Sequence, residues 1–214
     1  MKTLLTIFGL ATALSTPAVA SEWATYTVTI TNATNKQVIT PPVIITHNRY
    51  FKLFEVTGTA SDGLVILAET GNPAPLHAEV SGAEGVHDSI AAGAPILYGH
   101  SASFDISAPK KAMLSFSAML ATTNDAFAAL NGVRLPKRKA TYFAYTYDAG
   151  SELNNESCAY IPGPPCAPDS GNLRTETGEG FIAIHNGVHG GSDLNPKQLD
   201  WRGPTAIVTI ERVD

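Results

Sequence analysis

KAMLSFSAMLATTNDAFAALNGVRLPKRKATYFAYTYDAGSE, Lys111 to Glu152, decides the fold. AMLSFSAML (Ala112 to Leu120) is an apolar run of strand length, and TYFAYTY (Thr141 to Tyr147) is an aromatic and β-branched run of the same kind. Between them TTNDAFAALNG reads as a polar turn, with Thr123 or Asn124 capping a short turn of helix that ends near Gly132. A basic loop follows. Each strand ends in an acidic loop, and side chains at strand ends project into the loops at one edge of a sheet. Asp125, Asp148 and Glu152 are therefore expected as neighbours. Three carboxylates gathered there repel one another unless a cation lies between them, and an oxygen-rich set without thiols suits a hard ion such as Ca²⁺. Backbone carbonyls and water would supply the remaining oxygens, since Ca²⁺ takes ~6–8 ligands. Local explanations stand beside this one: Asp125 is favoured in a first helical turn by the helix dipole, and Asp148-Ala149-Gly150 makes a turn whatever binds there.

Outward from this stretch the chain continues as short strands. ATYTVTIT (Ala24 to Thr31) alternates Tyr26, Val28 and Ile30 with threonines, the period of a half-buried strand. Pro41 and Pro42 precede the apolar run Val43 to Thr46 and hold its start at an edge or outside a ladder; His47 ends the run. Ser61 can cap and Gly71 can terminate a helix of about two turns that packs on the sheets. Residues 72–102 read as loop-dominated, with short edge strands near Glu79 and Ile96. Further strands are expected at Ser103 to Ser107, at Phe181 to His185, and after Pro204, where Ala206, Val208 and Ile210 share one face. Many short strands joined by Gly/Pro-rich connections, with no long helix, predict an all-β fold: an antiparallel β-sandwich with one or two short helices.

MKTLLTIFGLATALSTPAVA (residues 1–20) has a basic start, an apolar run from Leu4 to Leu14 and a small-x-small ending at Ala18-Val19-Ala20. This is the pattern of a secretory signal peptide, so the protein is expected to be secreted or periplasmic, with residues 21–214 forming one domain. No other stretch reaches the ~18 apolar residues of a membrane helix. The formal charge is −5, and the one basic run, Lys137-Arg138-Lys139, reads as a solvated loop or, alternatively, as a surface for an acidic partner. A nucleic-acid partner is not expected without a basic stripe. Cys158 and Cys166 flank a Pro/Gly-rich loop, and in an exported chain they are expected to form a disulfide.

Five segments carry a family resemblance: TPPVIITH (Thr40 to His47), YFKLFEVTGTASDGLVILAETG (Tyr50 to Gly71), LSFSAMLATTNDAF (Leu114 to Phe127), YDAGSE (Tyr147 to Glu152) and PTAIVTIERV (Pro204 to Val213). Together, and in this order, they resemble the spondin N-terminal domain of F-spondin, mindin and bacterial secreted proteins. The resemblance implies a sandwich similar to C2 domains, extracellular placement, a calcium ion at one end, and adhesion or contact with an extracellular protein or matrix component. By position, the family's metal-binding aspartate falls on Asp125 and its acidic pair on Asp148 and Glu152. Glu152 stands where the family has aspartate, and calcium's flexible shell tolerates the longer side chain. Ala126 stands where the family has tryptophan, so the loop is less aromatic.

A competing site uses His47, His185 and His189, the last two within IHNGVHGGSD. Histidines four apart in a strand lie ~13 Å apart and cannot share an ion, so only a tight turn at Gly187, Gly190 and Gly191 would bring them together on zinc or copper, in a periplasmic metal-binding protein or metallohydrolase. Structural histidines bonded to loop carbonyls are the other reading. Gly-x-Ser-x-Gly, His-Glu-x-x-His and a phosphate-cradling glycine loop are all absent, so an enzyme is not expected.

Overall fold

β1 (Trp23–Asn32) follows its sequence pattern: Ala24, Tyr26, Val28 and Ile30 are buried, and the threonines between them lie on the outer face. It is flanked by β4 (Ser101–Pro109) and β9 (Ala206–Arg212), both antiparallel to it. Hydroxyls pair across the outer face, Thr29 with Ser103 (2.8 Å) and Thr31 with Ser101 (2.7 Å). This is a computed structural model, which describes residues 23–166, 173–174 and 177–213. The expected signal peptide lies outside the described residues. No helix among them is long and apolar enough to cross a membrane.

A second layer is built from β3 (Val86–Ala91), β2 (Val43–His47), β5 (Met113–Met119), β6 (Ala126–Arg134), β7 (Lys139–Asp148) and β8 (Ala183–Ile184). β7 joins the layers. Its first half pairs with β9 through Lys139 to Ala144, and its second half with β6 through Tyr145 to Asp148. The resulting order, β3-β2-β5-β6-β7-β9-β1-β4, is antiparallel throughout, with β8 added to β7. The two outer strands nearly close the sandwich into a barrel. Asp88 Oδ2 of β3 accepts the Ser107 N–H of β4 (2.9 Å), and Thr46 Oγ1 donates to the Ser107 carbonyl (2.7 Å). Such contacts remove an exposed edge that would otherwise template aggregation.

The second layer is covered on both faces. Ile44, Leu114, Phe116, Ala128 and Leu130 join the core between the layers, while Val43, Ile45, Phe127 and Ala129 join a second core under α1 (Asp62–Thr70) and α2 (Ala74–Val80). This corrects the reading of TTNDAFAALNG as a polar turn or short helix. A strand buried on both faces has no polar alternation to reveal it, and Ala126 to Leu130, the first half of AFAALNGVR, is such a stretch. Residues 72–102 are also more structured than expected. Glu79 belongs to α2, β3 forms the edge, and Ile96 makes only an isolated bridge to Ile39.

α1 begins and ends as its sequence predicts. Ser61 Oγ accepts the Leu64 N–H (3.3 Å), and Gly71, at φ 70°, returns its N–H to the Leu67 carbonyl (2.9 Å). Leu64, Leu67 and Ala68 are buried against the sheet. A third small core, with Ile161, Val188, Leu194 and Leu199, sits beside the Cys158–Cys166 disulfide and α3 (Pro196–Leu199). It supports the loops that carry the site.

Candidate metal centre at the acidic end

Because β5, β6 and β7 are antiparallel, the end of β5, the start of β6 and the end of β7 meet at one end of the sandwich. Thr123 shapes the connection before Asp125: its hydroxyl donates to the Leu120 carbonyl (2.6 Å) and accepts the Ala126 N–H (3.2 Å). Asp125 is then fully buried. Its Oδ2 accepts the Ser151 N–H (2.8 Å), the Ser151 hydroxyl (3.2 Å) and the Glu152 N–H (3.0 Å). Its Oδ1 is buried with no hydrogen-bond partner. A carboxylate oxygen in that state is costly unless a proton or a cation satisfies it.

Asp148 lies close enough to act on it. Burial first, and then the neighbouring Asp148 charge, push the Asp125 carboxyl up to about 7, against the opposing pull of the Glu152 and Ser151 hydrogen bonds. Asp148 is also raised by burial, opposed by hydrogen bonds from Asn154 and Gly150. Its Oδ1 accepts the Gly150 N–H (2.6 Å), and its Oδ2 accepts from the Asn154 side chain. Gly150 has no substitute here: it sits at φ 69°, and a Cβ would come within 2.2 Å of the Phe181 carbonyl oxygen.

Glu152 is 2 % exposed and gives its backbone N–H to Asp125. The structure thus draws Asp125 and Asp148 together and places Glu152 in the loop that binds Asp125. Among the described residues, however, no three His, Cys, Asp or Glu side chains form a ready metal cage. An ion here would need to draw further oxygens from the surrounding loops.

The competing histidine set is not assembled. His47 pairs with Met113 at the opposite end of β5, whereas His185 donates its N–H to the Thr146 carbonyl at the acidic end. The length of β5 separates them, ~20 Å at strand rise. His47 is buried, bonded through Nδ1 to the Asn48 carbonyl (2.7 Å) and through Nε2 to the Ser115 hydroxyl (2.8 Å). That is the structural-histidine reading, met at a loop carbonyl. The His185 Nδ1 accepts the Gly187 N–H (2.9 Å), so its proton sits on Nε2, which faces Asn154 Oδ1 (3.1 Å). Burial, with His189 nearby, lowers the His185 pKa well below its ordinary value and keeps the ring neutral. Both of its nitrogens are therefore occupied within the protein.

Asn154 links the two halves of this end, since it donates to Asp148 and accepts from His185. Sequence reasoning passed over it, and over Glu156. The Glu156 carboxylate is buried and accepts backbone N–H groups from His189, Gly190 (2.6 Å) and Gly191 (2.7 Å). Partners of that kind leave no side-chain signature; only the paired glycines hint at them. A cavity of about 220 Å³ opens above these groups, lined by Asp148, Asn154, Glu156 and His185 among others.

The described cysteines are both in the disulfide, so any ion at this end meets oxygen donors rather than thiolates. A scan of the chain against protein-family models finds no match, and a search of curated proteins finds none.

Proposed function

We propose that the chain is an exported, calcium-binding β-sandwich module of spondin N-terminal type. Asp125 and Asp148 hold the ion, with Glu152 as the third carboxylate. The observation that carries this reading is the buried, unpartnered Oδ1 of Asp125 beside a second buried carboxylate. Oxygen donors without thiols suit a hard cation. The ion's role is structural: it neutralises the two aspartates and locks the connection before β6 to the loop after β7. The ordered loops then present a surface to an extracellular protein or matrix component. The five spondin-like segments support that role, and the disulfide fits an oxidising compartment.

The test is thermal unfolding of residues 21–214 after treatment with a chelator, followed by separate titrations with Ca²⁺, Mg²⁺ and Zn²⁺, beside Asp148→Asn. A ligand at about 100 times its Kd stabilises the folded state by about 2.7 kcal/mol. For a chain of this size that is a midpoint rise of about 5–10 °C. The reading requires such a rise with Ca²⁺ and its loss in Asp148→Asn. No response to Ca²⁺ would leave a structural module whose carboxylates only shape turns.

A further inference from the structure

The opposite end of the sandwich carries a second, larger cavity of about 550 Å³. Its walls are the turn between β4 and β5, the connection from β6 to β7 and the end of β9. These are tied together by the Leu135 N–H to the Ala112 carbonyl (3.1 Å) and the Arg212 N–H to the Arg138 carbonyl (2.7 Å). Of its eight described lining residues, five are cationic: Lys110, Lys111, Arg134, Lys137 and Arg212. The other three are Tyr26, Leu135 and Pro136, and no carboxylate is among the described lining residues. Lys110, Lys111, Arg134 and Lys137 are exposed and make no salt bridge among the described residues.

This concentration runs against the composition of a chain with formal charge −5. Lys137 also ceases to be merely part of a solvated loop. The five cations come from three separate stretches of sequence, and the antiparallel topology collects them at the rim of one concavity. Lys110, Lys111, Arg134 and Lys137, held together in this way, repel one another, and a bound anion relieves that repulsion. The volume lies in the range of small-molecule sites, ~300–1,000 Å³. Lysine and arginine stems add apolar wall beneath their charged heads, and Tyr26 and Leu135 are buried members of the core behind it. Arginine forks match the oxygens of a phosphate or carboxylate in a way that lysine does not.

The geometry points to a binding site for one amphipathic oxyanion. Its head is held by Arg134, Arg212 and the three lysines, and its apolar body lies against Tyr26, Leu135 and Pro136. The ligand enters as a single dispersed molecule, because the cavity has room for a body as well as a headgroup. The site is at the other end of the strands from Asp125 and does not depend on calcium.

The experiment is isothermal titration of residues 21–214 with octyl phosphate below its micelle concentration. Inorganic phosphate, butyl phosphate and octyltrimethylammonium are titrated in parallel, and sedimentation with anionic phospholipid vesicles forms a further arm. One octyl phosphate per chain is expected to bind, at least ~10-fold more tightly than butyl phosphate, since each buried methylene multiplies affinity about fourfold. Raising the salt weakens it, and the cationic amphiphile does not bind. Arg134→Gln combined with Lys137→Gln changes two exposed side chains. It is expected to lower affinity at least ~10-fold without moving the unfolding midpoint of the free protein. Equal binding of octyl phosphate and inorganic phosphate would overturn the proposal, as would equal binding of the cationic amphiphile, an unaffected double variant, or no binding at all. Association with vesicles but not with dispersed octyl phosphate would also overturn it, by showing adsorption of a basic surface to a membrane.

Discussion

Replacing Asp125 by asparagine in the metal-free protein should stabilise it at alkaline pH, although the residue is buried and accepts three hydrogen bonds. Asparagine keeps an oxygen for those donors and removes the charge that Oδ1 cannot satisfy. In the folded, metal-free protein the carboxyl titrates at about 7, against 3.8 as its ordinary value. The folded state therefore holds its proton where the unfolded chain has already lost it. Stability from this group is complete below about pH 4 and falls as pH rises, until it is lost at about pH 7. At ~1.4 kcal/mol per pH unit, the full penalty is roughly 4 kcal/mol. His47 and His185 act in the opposite sense, because their lowered values keep them neutral while the unfolded chain gains protons below its ordinary pKa of 6.5. Those terms cancel when variant and wild type are compared at the same pH. The quantity to follow is thus the stability difference, Asp125→Asn minus wild type, from urea unfolding in chelator at pH 5 and pH 8, read by the fluorescence of Trp23 and Trp201. It should rise by roughly 2–3 kcal/mol between the two pH values, with the variant the more stable protein at pH 8. A difference that is flat or falls with pH would refute the assignment of a strained, raised carboxyl.

Three further outcomes follow from the same loops. Gly150→Ala places a Cβ 2.2 Å from the Phe181 carbonyl oxygen at φ 69°, and should cost about 2–4 kcal/mol in chemical denaturation. Glu156→Gln turns an NH₂ group toward backbone donors from residues 189–191, and should lower loop stability by about 2–3 kcal/mol, seen as faster amide exchange at Gly190 and Gly191. Replacing both Cys158 and Cys166 by alanine should cost about 2–3 kcal/mol in unfolding experiments, the loop-closure entropy of so short a ring.

What the sequence makes legible depends on how many faces of an element meet water. β1 and β9 each turn one face to solvent, so threonine alternates with Val and Ile and the strands are plain. β6 turns neither face to solvent along Ala126 to Leu130, so no period survives and the run passes for a turn. α1 is announced by Ser61 and Gly71 because its caps are side-chain and glycine chemistry. α2 has Pro73 at its start and no side-chain cap, and it passes for loop. The site divides in the same way. Asp125 and Asp148 follow two legible strands, but the ends of those strands meet only because β6, which the sequence hides, runs back between β5 and β7. Glu156 cannot be placed, because its partners are backbone amides. The basic cavity escapes for a different reason: Lys110, Arg134 and Arg212 are far apart along the chain, and only the register of four strands collects them. His47 and His185 fail as a pair for that reason too, since register puts them at opposite ends of the sheet.

Direct calcium binding tests the central claim. Equilibrium dialysis of residues 21–214 against buffered Ca²⁺, with wild type beside Asp125→Asn and Asp148→Asn, reads stoichiometry and affinity without reference to stability. One ion per chain, with a Kd in the range of extracellular calcium modules, ~10⁻⁴–10⁻³ M, and its loss in both variants is the predicted result. Wild type that takes up no calcium across this range, or variants that bind it as well as wild type, would contradict the assignment of Asp125 and Asp148 as its ligands.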